Sequence, residues 1–133
     1  MPVLNLKVAG PLDQAQAQSL TSLLTDLTAS ILRKKRELTA VIIEPVRADL
    51  WSIGGSAIPL LKLATFALEI KVTQDTNTSD EKAAYIQAVF SGMQDLLGSL
   101  HDASYVAIDE IPAAAWGYGG RTQRDRFAVH AAA

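Results

Sequence analysis

The sequence contains no cysteine, and this absence excludes disulfide bonds and thiolate chemistry from whatever the protein does. No uninterrupted apolar run approaches the ~20 residues that a membrane-spanning helix needs. The N-terminus also lacks a cationic segment followed by a long apolar stretch, so we expect no signal peptide. A net charge of -2 gives no reason to expect nucleic acid or an anionic membrane as a partner. Together these absences make a cytoplasmic protein the default expectation.

What the chain does contain is typical of one soluble globular domain. At 133 residues, with 49% hydrophobic and 20% charged residues, it can bury most of its apolar surface on folding. We therefore expect a single domain over residues 1–133. Its two histidines, His101 and His130, are too isolated to form a metal site, and without cysteine we expect no metal. We also expect no cofactor.

The two halves of the chain resemble each other. Residues 4–8 (LNLKV) recur as residues 68–72 (LEIKV), and both alternate apolar and polar side chains as a strand does. A helical pattern follows each copy, and we expect Asp13 to be the N-cap of the first helix and Thr78 with Glu81 to form a capping box at the start of the second. A second strand comes next, at 39–46 and 104–111. Next come Trp51 in WSIGG and Trp116 in WGYGG, whose glycine pairs favour a hairpin or bulge. These patterns predict repeats over 2–58 and 66–121 and a tail over 122–133.

The resulting β-α-β, β-α-β order is typical of an α/β (α+β) fold and fits two architectures. One is the ferredoxin-like split β-α-β arrangement. The other is a tandem β-α-β fold, a four-stranded sheet with both helices on one face. In the second architecture the opposite face of the sheet needs cover, which association of several chains would supply.

Pro2 follows the initiator methionine and opens the first predicted strand. If Met1 is removed, the Pro2 nitrogen becomes a secondary amine that can act as a base. While Met1 is attached, the same nitrogen is a tertiary amide without a proton to donate.

These features together resemble the tautomerase superfamily over about residues 2–120. Residues 41–44 (VIIE) followed by WSIGG are similar to 4-oxalocrotonate tautomerase. The chain length, the lysine before strand two, Gly54-Gly55-Ser56 with a downstream Pro59, and a tyrosine that opens strand four are similar to macrophage migration inhibitory factor. The resemblance implies the tautomerase fold and a homotrimer.

It also implies an isomerase whose Pro2 amine moves a proton between keto and enol forms of a small carbonyl substrate. Burial and nearby cations would lower the pKa of that amine, and Lys34 would stabilise the developing enolate. The resemblance places Tyr105 at the site from a neighbouring subunit, Trp116 at the pocket rim and Trp51 against the substrate. These residues could also have only structural roles. A cation such as Lys34 is favoured at a helix C-terminus, and both tryptophans could be core or interface anchors.

The chain departs from the oxalocrotonate branch at two positions. Leu12 and Ala40 stand where that branch carries substrate-binding arginines, so a dicarboxylate is not the expected substrate. A 2-keto acid fits better, with Arg47, Arg121 and Arg124 as candidates for holding its carboxylate. The alternatives are a dehalogenase, hydratase or decarboxylase of the same superfamily, and a binding module without enzymatic activity.

Overall fold

The computed structural model describes the backbone of residues 1–132 and the side chains of residues 1–127. Ala133 and the His130 side chain therefore lie outside the described residues. The helices and strands are, in chain order, β1 (Val3–Ala9), α1 (Gln14–Ser30), β2 (Ala40–Val46), β3 (Ser52–Ile53), β4 (Ser56–Ala57), α2 (Ile58–Leu61), β5 (Phe66–Thr73), α3 (Ser79–Leu97), β6 (Tyr105–Ile111), β7 (Gly117–Tyr118), β8 (Arg121–Thr122) and α4 (Gln123–Ala132).

Four strands form one sheet in the order β2-β1-β5-β6. β1 pairs with β2 and β5 pairs with β6 in parallel, while β1 and β5 are antiparallel. The two strands of each β-α-β unit are therefore direct neighbours. This confirms the tandem β-α-β fold, and the split arrangement is wrong because no strand lies between the two strands of a unit.

The core lies between one face of this sheet and the helices α1 and α3. Strand alternation puts every second side chain of β1 and β5 on that face, where it is buried. The helices meet them with an apolar stripe at helical spacing. The main buried residues are Leu4, Leu6, Val8, Leu20, Leu24, Phe66, Leu68, Ile70, Val72, Tyr85, Val89 and Met93.

Both long helices begin with a capping box. Asp13 accepts from the Gln16 amide at 2.7 Å, and Thr78 accepts from the Glu81 amide at 3.1 Å. In each case the glutamine or glutamate returns a hydrogen bond to the capping residue's own amide. The predicted N-cap at Asp13 and the predicted capping box at Thr78 are both confirmed.

The second face of the sheet carries no helix of the described chain. Ile42 is 55% exposed and Tyr105 is 69% exposed on this face, although both are large and partly apolar. Lys71 and Asp109, also on this face, form an ion pair with 3.8 Å between Lys71 Nζ and Asp109 Oδ2. No helix within residues 1–132 is long and apolar enough to cross a membrane.

The strand directions decide which segments can meet. Because β1 runs antiparallel to β5 and β6, its N-terminus lies beside their C-terminal ends, with Val3 opposite Lys71. The turn after β5 and the β7–β8 hairpin after β6 therefore reach the same edge of the sheet as Pro2, where edge means the border that the strand ends form. The opposite edge holds the C-terminus of β2 and the start of β6.

Candidate active site

A cavity of about 430 Å³ opens at the edge of the sheet where β1 begins. Its walls come from the loop after α1, the turn after β5, the β7–β8 hairpin and the start of α4. Five of the twelve lining residues are lysine or arginine, and the full lining is Met1, Arg33, Lys34, Lys35, Leu38, Thr73, Thr76, Tyr118, Arg121, Gln123, Arg126 and Phe127.

The N-terminal amine lies in this cavity. Burial, followed by the charges of Lys34 and Lys35, lowers the pKa of the Met1 amino group from 8.0 to about 6. Pro2 directly behind it is buried, and its carbonyl accepts a hydrogen bond from the Ala40 amide at 3.2 Å. The backbone at Pro2 is thus fixed by the β1–β2 pairing, which anchors the chain terminus at the cavity.

Lys34 is half-buried in the cavity wall. Its Nζ donates to Thr76 Oγ1 at 2.7 Å, which brings together residues far apart in the chain. Burial lowers the pKa of Lys34, and nearby Glu81 opposes that effect. The lysine faces the cavity because the chain leaves α1 through Arg33, whose φ of 58° turns the backbone back toward the sheet.

The other cations of the cavity come from segments that the sequence patterns do not connect. Arg33 lines the cavity and forms an ion pair at 2.6 Å with Glu81, which does not line it. Arg126 stacks on the Tyr118 ring at 3.8 Å and donates to the Tyr118 carbonyl at 2.9 Å. Arg121 on β8 is exposed at the cavity mouth. Of the three arginines suggested from sequence, only Arg121 lines this cavity.

Carboxylates are missing from the described cavity lining. The two carboxylates whose charges act on Lys34 are already paired. Glu110 accepts from Lys82 at 2.7 Å, and this hydrogen bond holds the pKa of Glu110 below its ordinary value. Glu81 is engaged by Arg33. An anionic molecule would therefore meet positive charge in this cavity without a facing carboxylate.

Trp116 lies behind the cavity wall. Its indole Nε1 donates to Thr73 Oγ1 at 3.1 Å, and its carbonyl accepts from the Gln123 amide at 3.0 Å. Thr73 and Gln123 line the cavity, whereas Trp116 itself is absent from the described lining. In this chain Trp116 joins the end of β5 to the start of α4.

Trp51 and Tyr105 lie at the opposite edge of the sheet from Pro2. Tyr105 is aligned through Ala67 with Lys7, five residues along β1 from Pro2, which is ~17 Å at the rise of a strand. Trp51 follows β2 and its carbonyl accepts from the Ile58 amide at 2.9 Å. Within one chain these aromatics do not meet Pro2 or Lys34, and a contribution from a neighbouring subunit stays a prediction.

The sequence-based reading missed Thr73, Thr76 and Arg126. Thr73 ends β5 and Thr76 lies in the turn after it, and no local pattern in the sequence connects either residue with Lys34. Arg126 lies in the segment predicted as a tail, where the structure has α4. Arg121 carried a usable signal, since it directly follows the second glycine pair.

Residues 67–126 match the family model described as tautomerase enzyme. No protein of curated function matches the sequence. Among solved structures, a fused 4-OT that forms an asymmetric trimer has a TM-score of 0.82 at 20% identity, over 93% of this chain and 98% of that chain. A native fused 4-OT has a TM-score of 0.78 at 23% identity, over 92% and 97%.

A third similar structure is N1, a member of the cis-3-chloroacrylic acid dehalogenase family. Its TM-score is 0.78 at 20% identity, over 95% of this chain and 90% of that chain. The fold is therefore shared by tautomerases and by a member of a dehalogenase family. At these identities the structural likeness establishes the fold alone, and the reaction has to be inferred from the residues that line the cavity.

Proposed function

We propose that the chain is an isomerase of the tautomerase superfamily in which the Pro2 amine, freed by removal of Met1, is the catalytic base; the match of residues 67–126 to the tautomerase model and the shared fold support this. The substrate is a small anionic carbonyl compound of the 2-keto acid class. The observation that carries the proposal is the N-terminal amine with a lowered pKa in a cavity lined by cations.

The surroundings of the N-terminus favour a neutral amine near neutral pH. A base must be unprotonated to accept a proton, and burial together with Lys34 and Lys35 disfavours the ammonium form of the Met1 amine. Removal of Met1 moves the free amine by one residue, to the buried Pro2, and leaves both lysines in place. The same influences then act on a secondary amine.

In the proposed reaction the Pro2 nitrogen takes a proton from the enol hydroxyl or from the carbon beside the carbonyl. Negative charge develops on the substrate oxygen, where Lys34 stabilises it. The protonated amine then returns the proton to another carbon, so the amine is regenerated and no atom is gained or lost. Arg121 and Arg126 are placed to hold the carboxylate of the substrate.

The same proposal includes assembly of several chains, with a homotrimer as the expected form. The exposed apolar residues of the open sheet face support it, as does the likeness in fold to fused 4-OT trimers. In such an assembly Trp51 and Tyr105 of one chain would complete the site of a neighbour.

The test measures ketonisation of phenylenolpyruvate and of 2-hydroxymuconate by protein whose intact mass establishes that Met1 is absent. Pro2→Ala, which replaces the rigid secondary amine with a primary one, should lower kcat by about a hundredfold, the low end of the range for general-base catalysis. Pro11→Ala, a proline exposed in the loop after β1, is the matched control.

Equal activity of wild type and Pro2→Ala would refute Pro2 as the base. Turnover of phenylenolpyruvate with no turnover of 2-hydroxymuconate would fit the absence of arginine at positions 12 and 40. Halide release from haloacrylates with no ketonisation would assign the chain to dehalogenation instead.

A further inference from the structure

Three segments converge on Lys34, and hydrogen bonds join them. The loop after α1 carries Lys34, the last residue of β5 is Thr73 with Thr76 in the turn that follows, and the segment before β7 carries Trp116. Lys34 Nζ donates to Thr76 Oγ1 at 2.7 Å, and Thr76 Oγ1 donates to the Thr73 carbonyl at 2.6 Å. The Trp116 indole donates to Thr73 Oγ1 at 3.1 Å.

The direction of these bonds is fixed by chemistry. A threonine hydroxyl has one proton, and a carbonyl oxygen can only accept. The proton of Thr76 is therefore directed at the Thr73 carbonyl, which leaves the lone pairs of its oxygen to face Lys34. Thr76 is thus set as an acceptor for the ammonium or amine protons of the lysine.

We propose that Thr76 is the positioning residue of Lys34: it accepts a hydrogen bond from Nζ and holds that atom at the cavity wall. This inference rests on the proposed function, since it concerns the lysine that stabilises the enolate there.

The support under Thr76 is rigid. Thr73 is 5% exposed and ends β5, and Asp75 turns the chain with a φ of 64°. Next to Thr76, the Asn77 side chain donates to the Leu32 carbonyl at 3.0 Å. The turn after β5 is therefore fastened to the loop after α1 independently of the lysine. An acceptor on such a turn reduces the conformational freedom that a free lysine side chain would retain.

Competition by carboxylates explains why this lysine needs an acceptor. Glu81 and Glu110 both favour the charged form of Lys34, whereas Arg33 and burial oppose it. Neither carboxylate lines the cavity. Without Thr76 Oγ1, the attraction of these carboxylates would draw Nζ away from the place where substrate charge develops.

Thr76→Val keeps the shape of the side chain and removes the acceptor, while Thr76→Ser keeps the hydroxyl. We expect Thr76→Val to lower kcat by about tenfold with a smaller change in KM, since the interaction with Lys34 matters most when charge develops. Thr76→Ser should stay within about twofold of wild type. Thr21→Val is the control, on α1 at ~14 Å from the end of that helix.

A second measurement is independent of activity. Protein labelled with isotope-enriched lysine allows the titration of Lys34 to be followed by NMR, with Lys34→Arg used for assignment. Thr76→Val should shift this titration: downward if the lysine stays buried without its acceptor, or upward toward the ordinary value if it moves into solvent. Thr76→Ser and Thr21→Val should titrate like wild type.

An unchanged Lys34 titration in Thr76→Val would overturn the proposal, whether or not kcat falls. A shifted titration with unchanged kcat would also overturn it, because the position of the lysine would then not matter to the reaction. If wild type has no ketonisation activity, the proposed function fails by itself, and the titration still decides whether Thr76 holds Lys34.

Discussion

The electrostatic link between Lys34 and the N-terminal amine can be tested by neutralising the lysine. If the Pro2 amine is the base, kcat/KM of protein without Met1 should rise with pH as that amine loses its proton, and the acidic limb of the profile should report its pKa. A positive charge beside the amine disfavours its protonation and extends activity to lower pH. Lys34→Gln should therefore move the acidic limb to higher pH.

The size of the expected shift of the acidic limb follows from the three causes that lower the pKa of the Met1 amine. Its pKa falls from 8.0 to about 6, with burial as the largest cause, Lys34 second and Lys35 third. Because Lys34 contributes less than burial, its removal should raise the pKa by less than about one pH unit. High salt should move the wild-type limb in the same direction, because screening weakens both lysines.

The assay is the pH dependence of kcat/KM for phenylenolpyruvate, with wild type, Lys34→Gln and Lys62→Gln compared at fixed ionic strength. Lys62 is exposed, lies at the opposite edge of the sheet and changes the net charge equally. The height of the profile should also fall in Lys34→Gln, because the enolate loses its cation. An acidic limb at the same pH in Lys34→Gln and wild type, or at a lower pH, would refute the reasoning.

Three further perturbations test the scaffold and the cavity. Thr28 and Tyr85 are fully buried and share a hydrogen bond of 2.8 Å, so Tyr85→Phe should cost roughly 1–3 kcal/mol in urea unfolding. Adding Thr28→Val should recover part of that loss, and strictly additive costs would contradict the pairing. Gly117→Ala would bring a Cβ against the Arg121 carbonyl and open the β7–β8 hairpin, so kcat/KM should fall at least ~10-fold. Arg126→Met should raise KM for anionic substrates more than it lowers kcat, and an unchanged KM would exclude carboxylate binding by this arginine.

The fold could be predicted because its signals are local and repeated. Strict alternation in residues 4–8 and 68–72 predicts the buried face of two strands, and Asp13 as an N-cap and the capping box at Thr78 predict where the two helices begin. The glycine pairs predicted hairpins, and Gly54, Gly55, Gly119 and Gly120 all have positive φ in two-stranded hairpins.

Most of the cavity could not be predicted, because its contacts join residues that are distant in sequence. Thr76 lies 42 positions from Lys34, and only the antiparallel pairing of β1 with β5 brings their turns together. Arg121 and Arg126 likewise reach the cavity from β8 and α4, and no periodic pattern in the sequence predicts that these segments fold back onto it. Arg126 is held by its contact with the Tyr118 ring, and a contact of this kind cannot be recognised from the hydropathy pattern of the sequence.

The placement of Trp51 and Tyr105 leads to a prediction about assembly. One edge of the sheet carries Pro2 and the cations, and the other carries both aromatics. If each site combines the amine edge of one chain with the aromatic edge of the next, the contact is head-to-tail and closes into a ring. Inactive Pro2→Ala chains and Trp51→Ala chains should then complement each other when they are unfolded and refolded together.

The expected recovery follows from counting sites. A fully intact site needs Pro2 from a Trp51→Ala chain and Trp51 from a neighbouring Pro2→Ala chain. In an equal and random mixture each condition holds with a chance of one half, so about one quarter of the wild-type activity should return, whatever the size of the ring. Mixing without unfolding is the control and should recover nothing if the assembly is stable. If refolded mixtures stay as inactive as the separate variants, each site is built from one chain, and Trp51 acts on stability or packing instead.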